Sequence, residues 1–116
     1  MLAELKQKVL RANLALKENG LMVMFPSSYE DLAVEGETLH HCVRTYADKI
    51  ADGKTMVFFI RRESEPDVPY YTLEWFGGNI IQCRGKYNQP AQGETMKFAE
   101  HFSRELSNHF NIHLAA

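Results

Sequence analysis

Residues Leu39-His40-His41-Cys42-Val43-Arg44-Thr45-Tyr46 bring two histidines, a cysteine, an arginine and a tyrosine into eight positions. Side chains of these types move protons, act as nucleophiles or ligate metals. Three chemistries compete. The first is a Cys42 nucleophile served by a histidine base. Neighbours on a helix point about 100° apart, so His41 and Cys42 do not reach each other, and no Asn or Asp orienter stands nearby. The second is a zinc site drawing on His41, Cys42 and Cys83, which lacks the paired ligand spacing such sites use. The third is a polar pocket without covalent chemistry. Taken alone, Cys42 reads as a small core residue, as free cysteines commonly do.

A second polar group lies downstream. Tyr70 to Trp75 and Ile80 to Arg84 alternate in polarity around Gly77-Gly78-Asn79, which marks a hairpin. On the first strand Thr72 and Glu74 share a face, and on the second Gln82 and Arg84 do, with Ile81 and Cys83 opposite. A three-residue loop at 77–79 sets Glu74 against Gln82 and Thr72 against Arg84. A two-residue loop would pair Gln82 with Leu73 and mix the faces, so the three-residue loop is predicted. His41 reaches this polar face only if the helix carrying it is broken or a sheet covers that side, because a continuous helix with Leu39 and Val43 inward turns His41 to solvent.

The elements that must position these groups follow from periodicity. Leu2, Leu5, Val9 and Leu16 predict an amphipathic helix over about 2–18, ended by Asn19-Gly20. Leu21 to Phe25 is a short apolar run stopped by Pro26, a strand over 21–25. Ser27 and Ser28 offer helix caps, with Glu30 and Asp31 three residues on. Leu32, Gly36, Leu39, Val43, Tyr46 and Ile50 form one helical stripe. Gly36 interrupts it, so helices are expected at about 28–35 and 38–51. Thr55 to Arg61 is apolar on both faces, as in an interior strand. Strands over 55–61, 69–75 and 80–85 and a helix over 94–110 complete the chain. The fold class is α+β: a mainly antiparallel sheet of three to four strands with helices on one face.

Composition limits what such a domain does. The chain has 116 residues, 45% hydrophobic and 24% charged, which fits a single globular domain. A net charge of −2 gives no global attraction to nucleic acid or anionic membranes and leaves only local basic patches. No run is long enough to span a bilayer, and Met1 to Lys6 carries acid and base with no apolar h-region. The expected setting is the cytoplasm, with both cysteines reduced, no cofactor and no metal. The chain begins and ends within helix-like patterns, so a fragment of a longer protein is expected.

Several segments together resemble the PcfJ-like family of conjugative plasmids and phages. The matching residues are Glu35-Gly36, Leu39, His41-Cys42-Val43, Tyr46 and Gly53, then Arg61, Pro69, Thr72-Leu73-Glu74, Gln82, Gly85 and Asn88. The resemblance implies a mobile-element protein of the bacterial cytoplasm and no particular mechanism. The polar matches, joined by Arg84 from the hairpin face, outline a candidate site, with His41 and Glu74 as acid–base groups and Tyr46, Arg61, Thr72, Gln82, Arg84 and Asn88 as binding residues. The loop Arg84-Gly85-Lys86-Tyr87-Asn88 mixes basic and aromatic side chains as phosphate and nucleic-acid contacts do. Nucleic-acid or nucleotide binding through the polar sheet face is therefore the first expectation. An enzyme using His41 and Glu74, and an interaction module whose polar residues hold the fold, are the alternatives.

Overall fold

The structure, a computed structural model, describes residues 16–39, 49–50 and 52–110. The described chain is α+β, with five antiparallel strands in sequential order: β1 (Lys17–Glu18), β2 (Leu21–Met24), β3 (Met56–Arg62), β4 (Tyr71–Phe76) and β5 (Asn79–Arg84). Two helices accompany them, α1 (Tyr29–Leu39) and α2 (Gly93–His109), with a 3₁₀ turn at Lys86–Asn88. The fifth strand corrects the expected three to four. Most of the helix expected over 2–18 lies outside the described residues, but its end, Lys17–Glu18, is strand. Asn19 (φ 52°) and Gly20 (φ 80°) are both left-handed, and Glu18 pairs directly with Leu21. Asn-Gly therefore closes a two-residue hairpin here instead of capping a helix.

The centre of the sheet, β3 and β4, is buried on both sides. On β3 alternate side chains enter two separate clusters. Phe58 and Ile60 join Leu73, Trp75 and Cys83 beneath Phe98, Phe102 and Leu106 of α2. Val57 and Phe59 join Leu32 of α1 and Ile50 on the other side. Helices thus cover both faces, not one, which is why β3 lacks the alternation of a half-exposed strand. Edge-on contacts of Phe58 with Phe102 and Phe25, at 5.0 and 5.7 Å between ring centroids, fill the α2 side. Trp75 Nε1 donates to Ser103 Oγ at 2.8 Å, which satisfies the indole inside this core.

Helix α1 starts as its caps require. Ser28 Oγ accepts from the Asp31 amide at 3.2 Å, and Asp31 Oδ2 accepts from the Ser27 amide at 2.8 Å. The helix then runs unbroken through Gly36 to Leu39, where a break had been expected. Gly36 is buried on the inward stripe with Leu32 and Leu39, and the helix passes through it without a kink. Of the helix expected over 38–51, residues 38 and 39 end α1, residues 49 and 50 are helical, and 40–48 and 51 lie outside the described residues.

The β4–β5 hairpin keeps the expected pairing by another route. Thr72 faces Arg84 and Glu74 faces Gln82. The loop, however, is the two-residue Gly77-Gly78, because Phe76 pairs with Asn79 and Trp75 with Ile80. A β-bulge between Glu74 and Trp75 leaves Ile81 as the extra residue and restores the register. Both glycines have positive φ (58° and 92°), the geometry of the favoured tight hairpin turn. Ile80, not Ile81, therefore packs with Cys83 in the core, and Ile81 is 55% exposed.

Candidate functional site

The candidate polar residues of the sheet lie on the face that α1 covers. Cross-strand register puts Phe59, Thr72 and Arg84 in one row and Val57, Glu74 and Gln82 in the next. Thr72 and Glu74 are only 2% and 3% exposed. This face is thus an interior layer and not an open platform, because α1 and Ile50 pack over the sheet there. A nucleic-acid backbone could not lie on it without displacing them.

Two polar centres form within the layer. At the first, Glu74 Oε2 accepts from Thr55 Oγ1 at 2.8 Å, and Glu74 Oε1 accepts from Gln82 Nε2 at 3.3 Å. Lys49 Nζ stands 4.0 Å from Glu74 Oε2 and is itself half-exposed. The carboxylate is thereby fixed by neutral donors on both oxygens, with a cation arriving from the helical residues 49–50. Such a group can hold a proton, orient a polar ligand or brace the hairpin.

At the second centre Arg61 makes a two-pronged ion pair with Glu35 of α1. The Nη2–Oε1 and Nη1–Oε2 distances are 2.7 and 3.0 Å. Both residues are buried, at 7% and 1% exposure. The Arg61 guanidinium also lies 5.1 Å from the Phe59 ring centroid, and its Nε is buried without a hydrogen-bond partner. Burial pushes the Glu35 carboxyl up to about 7, against the pull of Arg61. Arg61 is four positions along β3 from Val57, the residue opposite Glu74. At about 3.3 Å per residue the two centres stand roughly 13 Å apart along the strand. Arg61 therefore does not join Glu74 in one pocket as expected; it fastens α1 to the sheet.

The remaining candidates fall elsewhere. Arg84, half-buried, donates from Nη1 to the Asn88 carbonyl at 3.3 Å. Asn88 is exposed in the 3₁₀ turn, so it stands outside the interior layer and contributes its backbone to the loop. His41 and Tyr46 lie outside the described residues, as does Cys42. The flanks of that segment are described: Leu39 is buried at the end of α1, and Lys49 meets Glu74. Cys83 is buried on the opposite, α2 side of the sheet, and desolvation pushes its thiol up to about 12. Among the described residues no group of three or more His, Cys, Asp or Glu could hold a metal ion.

Glu35, Thr55 and Lys49 are partners of the candidate residues that sequence reasoning missed. Glu35 had a legible signal, because Leu32, Glu35, Gly36 and Leu39 follow the spacing of a buried helical stripe. Thr55 and Lys49 had none, since only the fold brings them to Glu74.

Comparison with known proteins agrees with the sequence motifs. An uncharacterized protein of Listeria innocua serovar 6a, Lin1253/Lin1744, is 32% identical over 85 residues. The match covers 72% of this chain and 19% of that protein, so the chain spans about a fifth of its relative's length. No solved structure matches. The family model described as PcfJ-like protein matches residues 2–99, and the chain belongs to the PcfJ-like family.

Proposed function

We propose that this domain binds nucleic acid or a nucleotide, and that its contact surface is the loop Arg84–Asn88 in place of the covered sheet face. The carrying observation is the conformation of Tyr87. It is 63% exposed with φ 55° and ψ 33°, and the ammonium of Lys86 lies 5.5 Å from its ring centroid. A left-handed conformation costs a non-glycine residue of order 1 kcal/mol or more and persists where surrounding structure imposes it. Arg84 helps to impose it through its bond to the Asn88 carbonyl. The result is a largely exposed ring with a cation beside it, the pairing that binds single strands by stacking and charge. With Lys86 and Arg84 meeting two phosphates, a fourfold rise in salt weakens single-strand binding about sevenfold. Fluorescence anisotropy with labelled DNA and RNA oligonucleotides tests this. Salt-independent binding, or a Tyr87→Ala variant that binds as well as the parent, refutes it.

Glu74 supports a second reading, an enzyme with acid–base groups at Glu74 and His41. The observation in its favour is a buried carboxylate already oriented by Thr55 and Gln82, with Lys49 beside it. Residues 40–48, which carry His41 and Tyr46, connect Leu39 to that lysine. Under this reading His41→Ala abolishes the phenotype of the parent protein and leaves the thermal midpoint unchanged. A large fall in the midpoint returns His41 to a structural role, as in an interaction module held by internal polar bonds. A mobile-element protein working in the bacterial cytoplasm is the setting that the family resemblance suggests. No helix among the described residues is long and apolar enough to cross a membrane.

A further inference from the structure

Next to the loop a cleft of about 450 Å³ opens between the end of α1, the β3–β4 connection and the 3₁₀ turn. That volume falls within the range of small-molecule sites, roughly 300–1,000 Å³. Leu39 supplies an apolar wall, and Tyr70 and Tyr71 stand edge-to-face at 4.7 Å between centroids. Gly85 holds the Tyr71 ring in place: a Cβ at that position would sit 2.7 Å from Tyr71 Cε1, so only glycine lets the ring lie against the backbone.

Two cations enter the same cleft, Arg62 and Lys86. The Arg62 guanidinium lies 4.4 Å from the Tyr70 centroid and pairs with Glu65 at 3.3 Å. Both partners of that pair are half-exposed (53% and 50%), and exposed pairs of this kind contribute under about 1 kcal/mol. An incoming phosphate can displace Glu65 and take both guanidinium prongs in charge-assisted bonds. A bare anion would leave the tyrosines and Leu39 unused, and a purely apolar ligand would leave both cations unused. Thr38 and Gln89 add hydroxyl and amide groups suited to a sugar.

We infer that this cleft takes one nucleoside phosphate, its phosphate on Arg62 and Lys86 and its base against Tyr70 and Tyr71. The inference rests on the nucleotide-binding reading above and narrows it to a single nucleotide unit. That unit is either a free mononucleotide or the 5′-phosphorylated end of a strand.

Isothermal titration of the full chain decides, with the four ribonucleoside monophosphates, the corresponding nucleosides, inorganic phosphate, and one oligonucleotide with and without a 5′-phosphate. At least one monophosphate, or the 5′-phosphorylated strand, binds tenfold or more tightly than the nucleosides and phosphate. Arg62→Gln, an exposed substitution, lowers that affinity at least tenfold. Preference for a free monophosphate or for the phosphorylated strand tells the two sources apart. Oligonucleotide binding that needs Tyr87 but ignores both Arg62 and the 5′-phosphate overturns the cleft and leaves the loop standing. Mononucleotide binding that needs Arg62, with no strand bound, upholds the cleft and overturns the loop. No binding by any probe overturns both.

Discussion

Replacing Arg61 with methionine tests the tie between α1 and the sheet. The change keeps an unbranched apolar stem over Phe59 but leaves the Glu35 carboxylate, 1% exposed, without its counter-charge. Removing one partner of a buried pair costs about 3–5 kcal/mol, because the surviving charge stays desolvated. Small domains have only about 5–15 kcal/mol in total, so the loss is a large fraction. The expected fall in Tm is on the order of 10–25 °C. The cost depends on pH in a definite direction. Without Arg61 nothing opposes the burial that raises Glu35, so at pH 5 the carboxyl takes a proton and the penalty shrinks toward about 1–3 kcal/mol of lost hydrogen bonding. The paired substitution Glu35→Leu with Arg61→Met removes both charges and should be neutral or stabilising. Urea denaturation of the two single variants and the double variant, at pH 5 and pH 8, measures the coupling. A single-variant cost below about 1 kcal/mol at pH 8, or a double-variant cost equal to the sum of the singles, would refute the reasoning.

Three further outcomes follow from the same contacts. In the parent chain the Glu35 carboxyl is raised to about 7 from 4.5, so the folded state holds its proton more tightly than the unfolded state. Its stabilising share is full below about pH 4.5 and is lost as pH rises through 7, and Glu35→Gln should remove that part of the stability–pH profile. Gly85→Ala should cost about 1–3 kcal/mol by overpacking against Tyr71, seen as a lower urea midpoint, and should distort the cleft. In a chain with Cys42 replaced by serine, Cys83 should react with a thiol reagent only at the rate of unfolding, since its thiol is 3% exposed and raised to about 12. Rapid labelling under native conditions would contradict its place in the core.

Periodicity alone carried the α+β class, the strand positions from Leu21 to Arg84 to within a residue or two, the last helix and the face-sharing of Thr72, Glu74, Gln82 and Arg84, but not the fifth strand or the second covered face. Local period fixes these: a strand alternates, and a slip of one residue would expose its apolar set. Tertiary structure decided the rest. The hairpin reached the expected pairing through a two-residue turn and a bulge at Ile81, a combination that yields the same register as a longer loop. Asn19-Gly20 carries left-handed geometry that serves a helix end or a hairpin equally, and pairing of Lys17–Glu18 with β2 selected the hairpin. The polar face looked open because alternation shows which residues share a side and not what covers them. Its enclosure by α1, the capture of Arg61 by Glu35 and the gathering of Thr55 and Lys49 around Glu74 depend on contacts between residues 19 to 26 positions apart. Glu74 is thus held inside a covered sheet face, while exposed cations and aromatic rings gather at the Arg84–Asn88 loop and the cleft beside it.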